Sequence, residues 1–366
     1  MNTYIIYRNF LNKDKKTLSI GGIQTYILNL CDVIRKLQLN PVICQSSNED
    51  FETEYDGMKV YGYISDDNSL AKIAITKLNL HDEPIIFGSH ELFVKYHGPS
   101  IGIQHGISWD TPVHQELTKG LNIAYTFQRA RMAYLLLKKV SLVNQLVCVD
   151  YNFINWYRTQ VAYPSMRMTT IPNFAIPQTN IAKPKDRVNL IFARRLFWYR
   201  GTRMFMDIMQ ELLDENPSLY ITVAGEGADK NMFIAKYGEH KRVSLIRYNA
   251  DESYKVHSDK HIAIIPTLGS EGTSLSLLEA MASQCAVICT NVGGMSNIVL
   301  NRYNGLIINP EKKDLKEAIT LLVNNPDLRV SLANKGLETI QHAFNLNVWK
   351  DGWERVIRQE FIERRE

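Results

Sequence analysis

The sequence at 261–290 is HIAIIPTLGSEGTSLSLLEAMASQCAVICT, in which two β-branched runs flank a helical pattern. The runs are HIAII (261–265) and AVICT (286–290). The apolar residues between them recur at the spacing of one helix face, and they are Leu275, Leu278 and Met281. A strand, a helix and a strand in this order predict a βαβ unit with parallel strands.

The same alternation of short β-branched runs and longer segments continues along the chain. In the first half the runs are TYIIY (3–7), PVIC (41–44), PIIFG (84–88), SIGIQ (100–104) and QLVCV (145–149). In the second half they are NLIFA (189–193), LYITVA (219–224), VSLIR (243–247), HIAII, AVICT and GLII (305–308). A polar stretch with three prolines near 171–187 lies between the halves and predicts a linker. The sequence therefore predicts an α/β fold with two Rossmann-like, doubly wound domains that face each other across a cleft.

Composition excludes several classes of protein. The chain has 366 residues, 45% of them hydrophobic and 22% charged, which is typical of a globular protein and not of a disordered one. The formal charge is only +4 and no run of Lys and Arg occurs, so nucleic acid is not expected as a partner. No signal peptide is recognisable at the amino terminus, and no uncharged apolar run is long enough for a spanning helix.

The cysteines favour a reducing compartment. They are odd in number and follow no zinc or C-x-x-C spacing, at Cys31, Cys44, Cys148, Cys285 and Cys289. Such usage is typical of free thiols in the cytoplasm.

The loop and helix at 271–282 form a candidate anion site. Gly272, Thr273 and Ser274 make a small-residue turn that opens a helix, where free N–H groups favour an anion. Glu271 and Glu279 are eight residues apart, and Glu279 lies about 7.5 Å along the helix, a reach that fits a diphosphate and its ribose. The alternative is a helix capped by Ser274, with Glu279 merely solvated.

Three further motifs follow predicted strands. Arg195 and Arg200 in ARRLFWYRG (193–201) suit a diphosphate, unless they lie on an exposed loop. Gly21 and Gly22 in SIGGIQTY (19–26) allow close backbone approach to a ligand, unless they form a plain tight turn. His105 in GIQHGI (102–107) ends a strand at the edge of the predicted cleft, although a lone His near a strand is commonly structural.

Together these motifs resemble those of the retaining glycosyltransferases of family 4, which have the two-domain GT-B fold, and the resemblance covers most of the chain. SIGGIQTYILNL matches the Gly-Gly loop that opens the first helix, and EGTSLSLLE matches the E-x7-E motif. The signature G-R-L-x-x-x-K-G corresponds to 194–201, with Arg194 in place of the first Gly and Arg200 in place of the Lys. NVGG (291–294), YNG (303–305), IPNFAI (171–176) and AGEG (224–227) also fit.

The resemblance implies the role of each residue. Arg195 and Arg200 would bind the diphosphate of a UDP- or GDP-linked sugar, with the amides of Thr273, Ser274 and Leu275. Glu279 would hold the ribose hydroxyls, Glu271 would contact hydroxyls of the donor sugar, and His105 would lie beside its anomeric carbon. The acceptor would be a glycan or a lipid-linked sugar, in the synthesis of a cell-surface polysaccharide.

The resemblance also implies the domain limits. These are 1–178 for an acceptor-side domain, with the C-terminal helix 346–366 crossing back to it, and 186–345 for a nucleotide-sugar domain.

The expected reaction needs no cofactor and no metal. Cleavage of the sugar–phosphate bond places negative charge on the diphosphate, which fixed cations and N–H donors can stabilise. A divalent ion is commonly held by a D-x-D triplet, and none occurs in this sequence. Retention of the anomeric configuration is implied by the family, with attack from the front face because the sequence offers no evident carboxylate nucleophile.

The segment 117–167 carries an excess of positive charge. It has seven Lys and Arg against one acidic residue, Asp150, interleaved with aromatic and aliphatic residues. Such a segment can rest on an anionic bilayer, which would make the protein peripheral on the inner face of the cell membrane. The alternative is a core helix with a solvated basic face.

Two other functions are compatible with the predicted fold. A sugar-nucleotide epimerase has a similar two-domain architecture, and a non-catalytic scaffold of a glycan assembly complex would need no intact site. A dehydrogenase is disfavoured because neither SIGGIQT nor GEGADK (225–230) completes G-x-G-x-x-G.

Overall fold

The structure is a computed structural model that describes residues 1–19, 21–107, 109–110, 122–179, 181–248, 252–269 and 271–365. The chain divides into two compact units. The first contains Met1–His105, Asn122–Pro172 and the segment from Trp349 onward, and the second contains Asn173–Val348 with the described residues just after His105. The sequence placed the change of domain in 171–187; the full domain limits given above stay a prediction.

The first unit is built on one sheet. Its strands are β1 (Asn2–Ile6), β2 (Asn40–Ser47), β3 (Phe51–Tyr55), β4 (Met58–Ile64), β5 (Ile85–Phe87), β6 (Ser100–Gln104), β7 (Gln145–Cys148) and β8 (Arg167–Thr170). Their spatial order is β3-β4-β2-β1-β5-β6-β7-β8, and only β3 runs antiparallel to its neighbour. Its helices are α1 (Gly22–Lys36), α2 (Leu70–Lys77), α3 (Ile123–Val140) and α4 (Tyr151–Gln160). β1, α1 and β2 form a βαβ unit with paired parallel strands.

The second unit is built on a parallel sheet of order β11-β10-β9-β12-β13-β14. The strands are β9 (Val188–Ala193), β10 (Leu219–Ala224), β11 (Val243–Ile246), β12 (Ile262–Ile265), β13 (Ala286–Thr290) and β14 (Leu306–Ile308). The helices are α5 (Thr202–Glu215), α6 (Lys230–Tyr237), α7 (Ser253–His257), α8 (Leu275–Ala282), α9 (Lys312–Asn324) and α10 (Pro326–Ala343). A further helix, α11 (Leu346–Ile357), begins in this unit and belongs to the first unit from Trp349 onward.

Both faces of the second sheet are buried. Leu190 and Phe192 of β9 belong to a core cluster that includes α5 and α9, whereas Ile191 and Ala193 belong to a second cluster that includes α8. Strands covered on both faces are apolar at consecutive positions, which is why the sequence shows them so clearly.

The carboxyl-terminal helix packs on α1 within the first unit. Trp353 is fully buried and its indole N–H donates to the Tyr26 hydroxyl over 2.9 Å. The Trp349 ring meets the Tyr26 ring edge-on at 4.9 Å. Lys36 of α1 and Glu354 of α11 form an ion pair of 2.7 Å at the surface.

Two elements escaped the sequence analysis. The hairpin of β3 and β4 turns at Asp56 and Gly57, both with positive φ, and Asp-Gly is a known hairpin signal that we overlooked. Strand β8 is short and only partly buried, so its sequence lacks an apolar run. In the part of the chain that the structure describes, no helix is long and apolar enough to cross a membrane.

Candidate active site

The candidate site of the second unit lies where its parallel strands end. Arg194 and Arg195 follow the last residue of β9, and the loop that contains Glu271 follows β12. Since β9 and β12 are paired, their carboxyl ends lie side by side at one edge of the sheet. This edge is where ligands of open parallel sheets bind.

Glu271 is enclosed by two arginines. Its Oε2 accepts from Nη2 of Arg194 over 2.6 Å and also from Nη1 of Arg200. The Thr267 hydroxyl donates to the same oxygen over 3.3 Å. The side chains are 5% exposed for Arg194, 10% for Glu271 and 14% for Arg200, so this is a largely buried cluster with a net charge of +1.

The two guanidiniums keep Glu271 ionised. Burial on its own would raise the pKa of this carboxyl, but the attraction of Arg194 and Arg200 outweighs burial and holds the pKa below its ordinary value. The carboxylate is therefore an acceptor for N–H and O–H donors over the whole neutral pH range.

Two glycines after β13 pack against the backbone of the loop that contains Glu271. Gly293 has a φ of +58°, and a Cβ at that position would lie 2.0 Å from the Glu271 carbonyl oxygen. The N–H of Gly294 donates to the same carbonyl over 2.9 Å. The NVGG motif therefore packs directly against the backbone of Glu271, and a side chain at 293 would displace it.

The sequence analysis assigned Arg195 and Arg200 to one diphosphate, but the side chains of these two arginines have different surroundings. Arg200 is bound to Glu271, whereas Arg195 is exposed and lies over the Phe197 ring at 5.8 Å. Arg194, which stands where the signature has its first Gly, has the less exposed of the two guanidiniums that bind Glu271.

The start of α8 has the geometry expected of a small-residue turn. Thr273 and Ser274 are buried, Leu275 is the first helical residue, and the Asn173 amide donates to the Thr273 carbonyl over 2.7 Å. Ser274 is the N-cap residue but makes no side-chain capping bond. The first N–H groups of a helix have no intrahelical acceptor, so they can donate to a ligand.

Glu279 is held inside the second unit and is not simply solvated. The Ser253 hydroxyl donates to its Oε2 over 2.7 Å. Burial raises the pKa of Glu279 to about 7, and the Ser253 bond offsets only part of that rise. The same burial, together with Glu279 itself, raises the pKa of the neighbouring Tyr248.

His105 lies in the first unit at the end of β6. Its Nε2 donates to the Gly88 carbonyl over 2.9 Å, which leaves Nδ1 as an acceptor, and its ring meets Tyr26 edge-on at 5.7 Å. Burial lowers the pKa of His105 to about 4, against the opposing effect of the Gly88 carbonyl. The imidazole is therefore neutral at physiological pH.

The remaining predicted residues of the first unit are Gly21 and Gly22, which begin α1. Gly21 is the N-cap residue and Gly22 the first residue of the helix. The polar groups whose charges act on His105 follow other strands of the same sheet, and they are Arg8, His90 and Glu91.

Sequence reasoning missed two contributors in the second unit. Arg194 and Ser253 each contact one of the two glutamates. The signal for Arg194 was an arginine directly after a buried strand, where a charge must find a buried partner. For Ser253 no local signal exists, because it is 26 residues from Glu279.

No cluster of three or more His, Cys, Asp or Glu occurs among the described residues that could hold a metal ion. The absence of metal from the expected reaction stays a prediction.

The second half of the chain is similar to a known protein family. Residues 177–339 match the family Glycosyl transferases group 1. The match covers the part of the chain that includes Arg194, Arg200, Glu271 and Glu279. The second unit therefore carries a glycosyl transferases group 1 domain.

Two curated relatives are similar over part of the chain. An uncharacterized glycosyltransferase of Methanocaldococcus jannaschii is 22% identical over 207 residues, which are 54% of this chain and 51% of the relative. The N,N'-diacetylbacillosaminyl-diphospho-undecaprenol alpha-1,3-N-acetylgalactosaminyltransferase of Campylobacter jejuni is 26% identical over 169 residues, 46% of this chain and 44% of the relative. The chain thus spans about half the length of these relatives.

The whole chain has the fold of solved glycosyltransferase-type structures. Sucrose-phosphate synthase from Thermosynechococcus elongatus superposes with a TM-score of 0.76 over 98% of this chain and 99% of that one, at 14% identity. The likeness at this identity concerns the fold. It confirms the predicted GT-B class with two Rossmann-like domains.

The raised pKa of Glu279 predicts how stability depends on pH. The folded protein binds this proton more tightly than the unfolded chain, whose carboxyl has its ordinary value of 4.5. The stabilisation is complete below about pH 4.5 and is lost as the pH rises through about 7. We expect the free energy of unfolding in urea to fall less steeply between pH 5 and pH 8 in Glu279→Gln than in the wild type.

Glu239→Gln is the matched control, because Glu239 is exposed. It should keep the wild-type slope. A slope in Glu279→Gln equal to that of the wild type would show that Glu279 is not the titrating group.

Proposed function

We propose that this chain is a retaining glycosyltransferase of family 4 that transfers a sugar from a UDP- or GDP-linked donor to a glycan or lipid-linked acceptor. The observation that carries the proposal is the cluster of Glu271 with Arg194 and Arg200, beside the start of α8 and inside the matched domain. A buried cluster with a net charge of +1 next to free helical N–H groups favours a diphosphate.

The proposed roles follow from chemistry and from the resemblance. Arg200 and Arg195 bind the diphosphate with the amides of Thr273, Ser274 and Leu275. Glu279 accepts hydrogen bonds from the ribose hydroxyls, and Glu271 from hydroxyls of the donor sugar. Gly21 and Gly22 let the backbone approach the donor, and His105 takes the place beside the anomeric carbon.

The proposed reaction breaks the bond between the anomeric carbon and the diphosphate oxygen. The acceptor hydroxyl oxygen forms the new bond to the same carbon from the same face, and its proton goes to the leaving diphosphate oxygen. The arginines and amides stabilise the charge that grows on the diphosphate.

The state of Glu271 supports attack from the front face. Its Oε2 already accepts from two guanidiniums and a hydroxyl, and the charge stabilised in this way makes the carboxylate a weaker nucleophile. We therefore assign Glu271 to orientation of the sugar and not to nucleophilic attack.

The acceptor class draws support from the Campylobacter relative, whose name describes a diphospho-undecaprenol substrate. We propose a similar lipid-linked or glycan acceptor, in polysaccharide synthesis. Such an acceptor lies at a membrane surface, and α3 offers a surface that suits anionic lipid. Its exposed large apolar residues are Ile123, Phe127, Met132, Tyr134 and Leu135, and its charged residues are Arg129, Arg131, Lys138 and Lys139.

We first predict donor turnover without metal. The purified chain should release UDP or GDP from one nucleotide sugar, depend on an acceptor for transfer, and keep its rate in excess EDTA, because fixed cations stabilise the leaving group. Loss of activity with EDTA and its recovery with Mg²⁺ or Mn²⁺ would overturn the metal-free mechanism. Turnover to an isomerised nucleotide sugar without acceptor would identify an epimerase instead.

Next, the two glutamates should differ in kinetics. A ribose contact is similar in the ground and transition states, so Glu279→Ala should mainly raise the KM for the donor, roughly tenfold to a hundredfold. Glu271→Ala should mainly lower kcat, by at least a similar factor, because its contact orients the sugar as charge develops. Calorimetry with UDP or GDP alone is the check, since these ligands lack the sugar. Equal weakening by both variants would refute the division.

Finally, α3 should bind anionic vesicles. Vesicles with phosphatidylserine or phosphatidylglycerol should sediment the protein at low salt, and binding should weaken as salt rises. Phe127→Ala combined with Arg131→Glu should reduce this binding. The matched control is Tyr163→Ala, since Tyr163 is 92% exposed but lies outside α3. Equal affinity for neutral vesicles, or none at low salt, would leave α3 as a solvated helix or a protein contact.

A further inference from the structure

Glu271 shares its charge between two arginines that are held very differently. Arg194 follows β9 directly, and its N–H donates to the Ala224 carbonyl over 3.0 Å. Its own carbonyl is covered by Gly225, where a Cβ would lie 2.0 Å from that oxygen. The backbone of Arg194 is therefore fixed on both sides by the AGEG turn.

Arg200 lies outside the sheet, and its backbone N–H donates to the Phe197 carbonyl over 2.9 Å. It ends a short 3₁₀ turn, Trp198–Arg200, and is followed by Gly201, which has a φ of +85°. Its guanidinium lies against the Tyr199 ring at 5.2 Å, on the more exposed side of the cluster. Since Arg200 belongs to this turn and not to a strand, its side chain can change rotamer without moving the sheet.

A conflict arises if Arg200 also binds the donor. A buried carboxylate needs a cation, so with Arg200 alone a diphosphate would compete with Glu271 for the same guanidinium. Donor binding would then leave Glu271 unpaired and favour its protonation, which removes the acceptor that orients the sugar.

We propose that Arg194 is a positioning residue: the permanent counter-ion of Glu271, which keeps it ionised and releases Arg200 to the donor diphosphate. This inference rests on the proposed function, and it gives a role to the arginine that replaces the first glycine of the signature. Arg194 acts on the donor only through Glu271 and Arg200.

The alternative is direct contact of Arg194 with an anion. Its Nε and Nη1 have no hydrogen-bond partner among the described residues. However, the side chain is only 5% exposed, and its other charged or polar neighbours include the fully buried Cys289 thiol. Both N–H groups are buried, so an anion would reach them only after the side chain became exposed.

A double-mutant cycle separates these two roles. UDP and GDP binding is measured by calorimetry for the wild type, Arg194→Met, Glu271→Gln and the double variant. We expect Arg194→Met to weaken the better ligand about tenfold, because Arg200 is then retained by Glu271. In the Glu271→Gln background, where Arg200 has no carboxylate to neutralise, the same change should alter binding by less than about twofold.

Equal losses in both backgrounds would show direct contact and overturn the inference, as would no loss in Arg194→Met. Arg194→Lys keeps the charge and should restore most of the affinity, whereas a purely steric role would not be rescued. Thermal unfolding of each variant shows that it is folded before binding is compared.

A second measurement needs no nucleotide. Arg194→Met should raise the pKa of Glu271 more than Arg200→Met does. The free energy of unfolding of Arg194→Met should therefore fall more than that of Arg200→Met as the pH rises from 4 to 7. The excess should vanish when Glu271 is Gln. If the wild type binds neither nucleotide, the proposed function fails and this comparison alone decides the counter-ion role. Equal behaviour of the two Met variants would overturn it.

Discussion

A buried ion pair organises the edge of the second sheet where its parallel strands end. Glu271 follows β12, Arg194 follows β9, and the glycines that hold the Glu271 backbone follow β13. A carboxylate that is 10% exposed needs a partner, and a guanidinium that is 5% exposed needs one as well. Each charge therefore needs the other, and the contact between them ties the loops after β9 and β12 together.

The two glutamates of one motif have opposite electrostatic environments. Glu271 is buried among cations, which hold its pKa below the ordinary value. Glu279 is buried with a hydroxyl, no cation of the described residues acts on it, and its pKa rises to about 7. The first group is charged at neutral pH, and the second changes charge near neutrality. Two carboxyls with such different environments suit different tasks, which agrees with the separate roles proposed for sugar and ribose.

The sequence predicted the sheets well because strands covered on both faces are continuously apolar, as in LYITVA and AVICT. It also predicted that the candidate residues follow strands, since motif and strand are neighbours in the chain. It did not predict that Arg194, and not Arg195, meets Glu271. Which of two adjacent side chains turns inward depends on the backbone path after β9, and Gly225, 31 residues after Arg194, packs against this backbone.

Arg194 stands where the signature has a glycine, and another glycine provides the close backbone approach at this point. A glycine in this place would bring no counter-ion, and Glu271 would then depend on Arg200 alone. Here Gly225 gives the close approach between the two loops, so position 194 can carry a long side chain that points to Glu271. Two cations on one carboxylate leave a net charge of +1 in a largely buried site. Because electrostatic attraction is stronger where the dielectric is low, that surplus charge attracts a diphosphate more strongly than the same arginine would on an open loop.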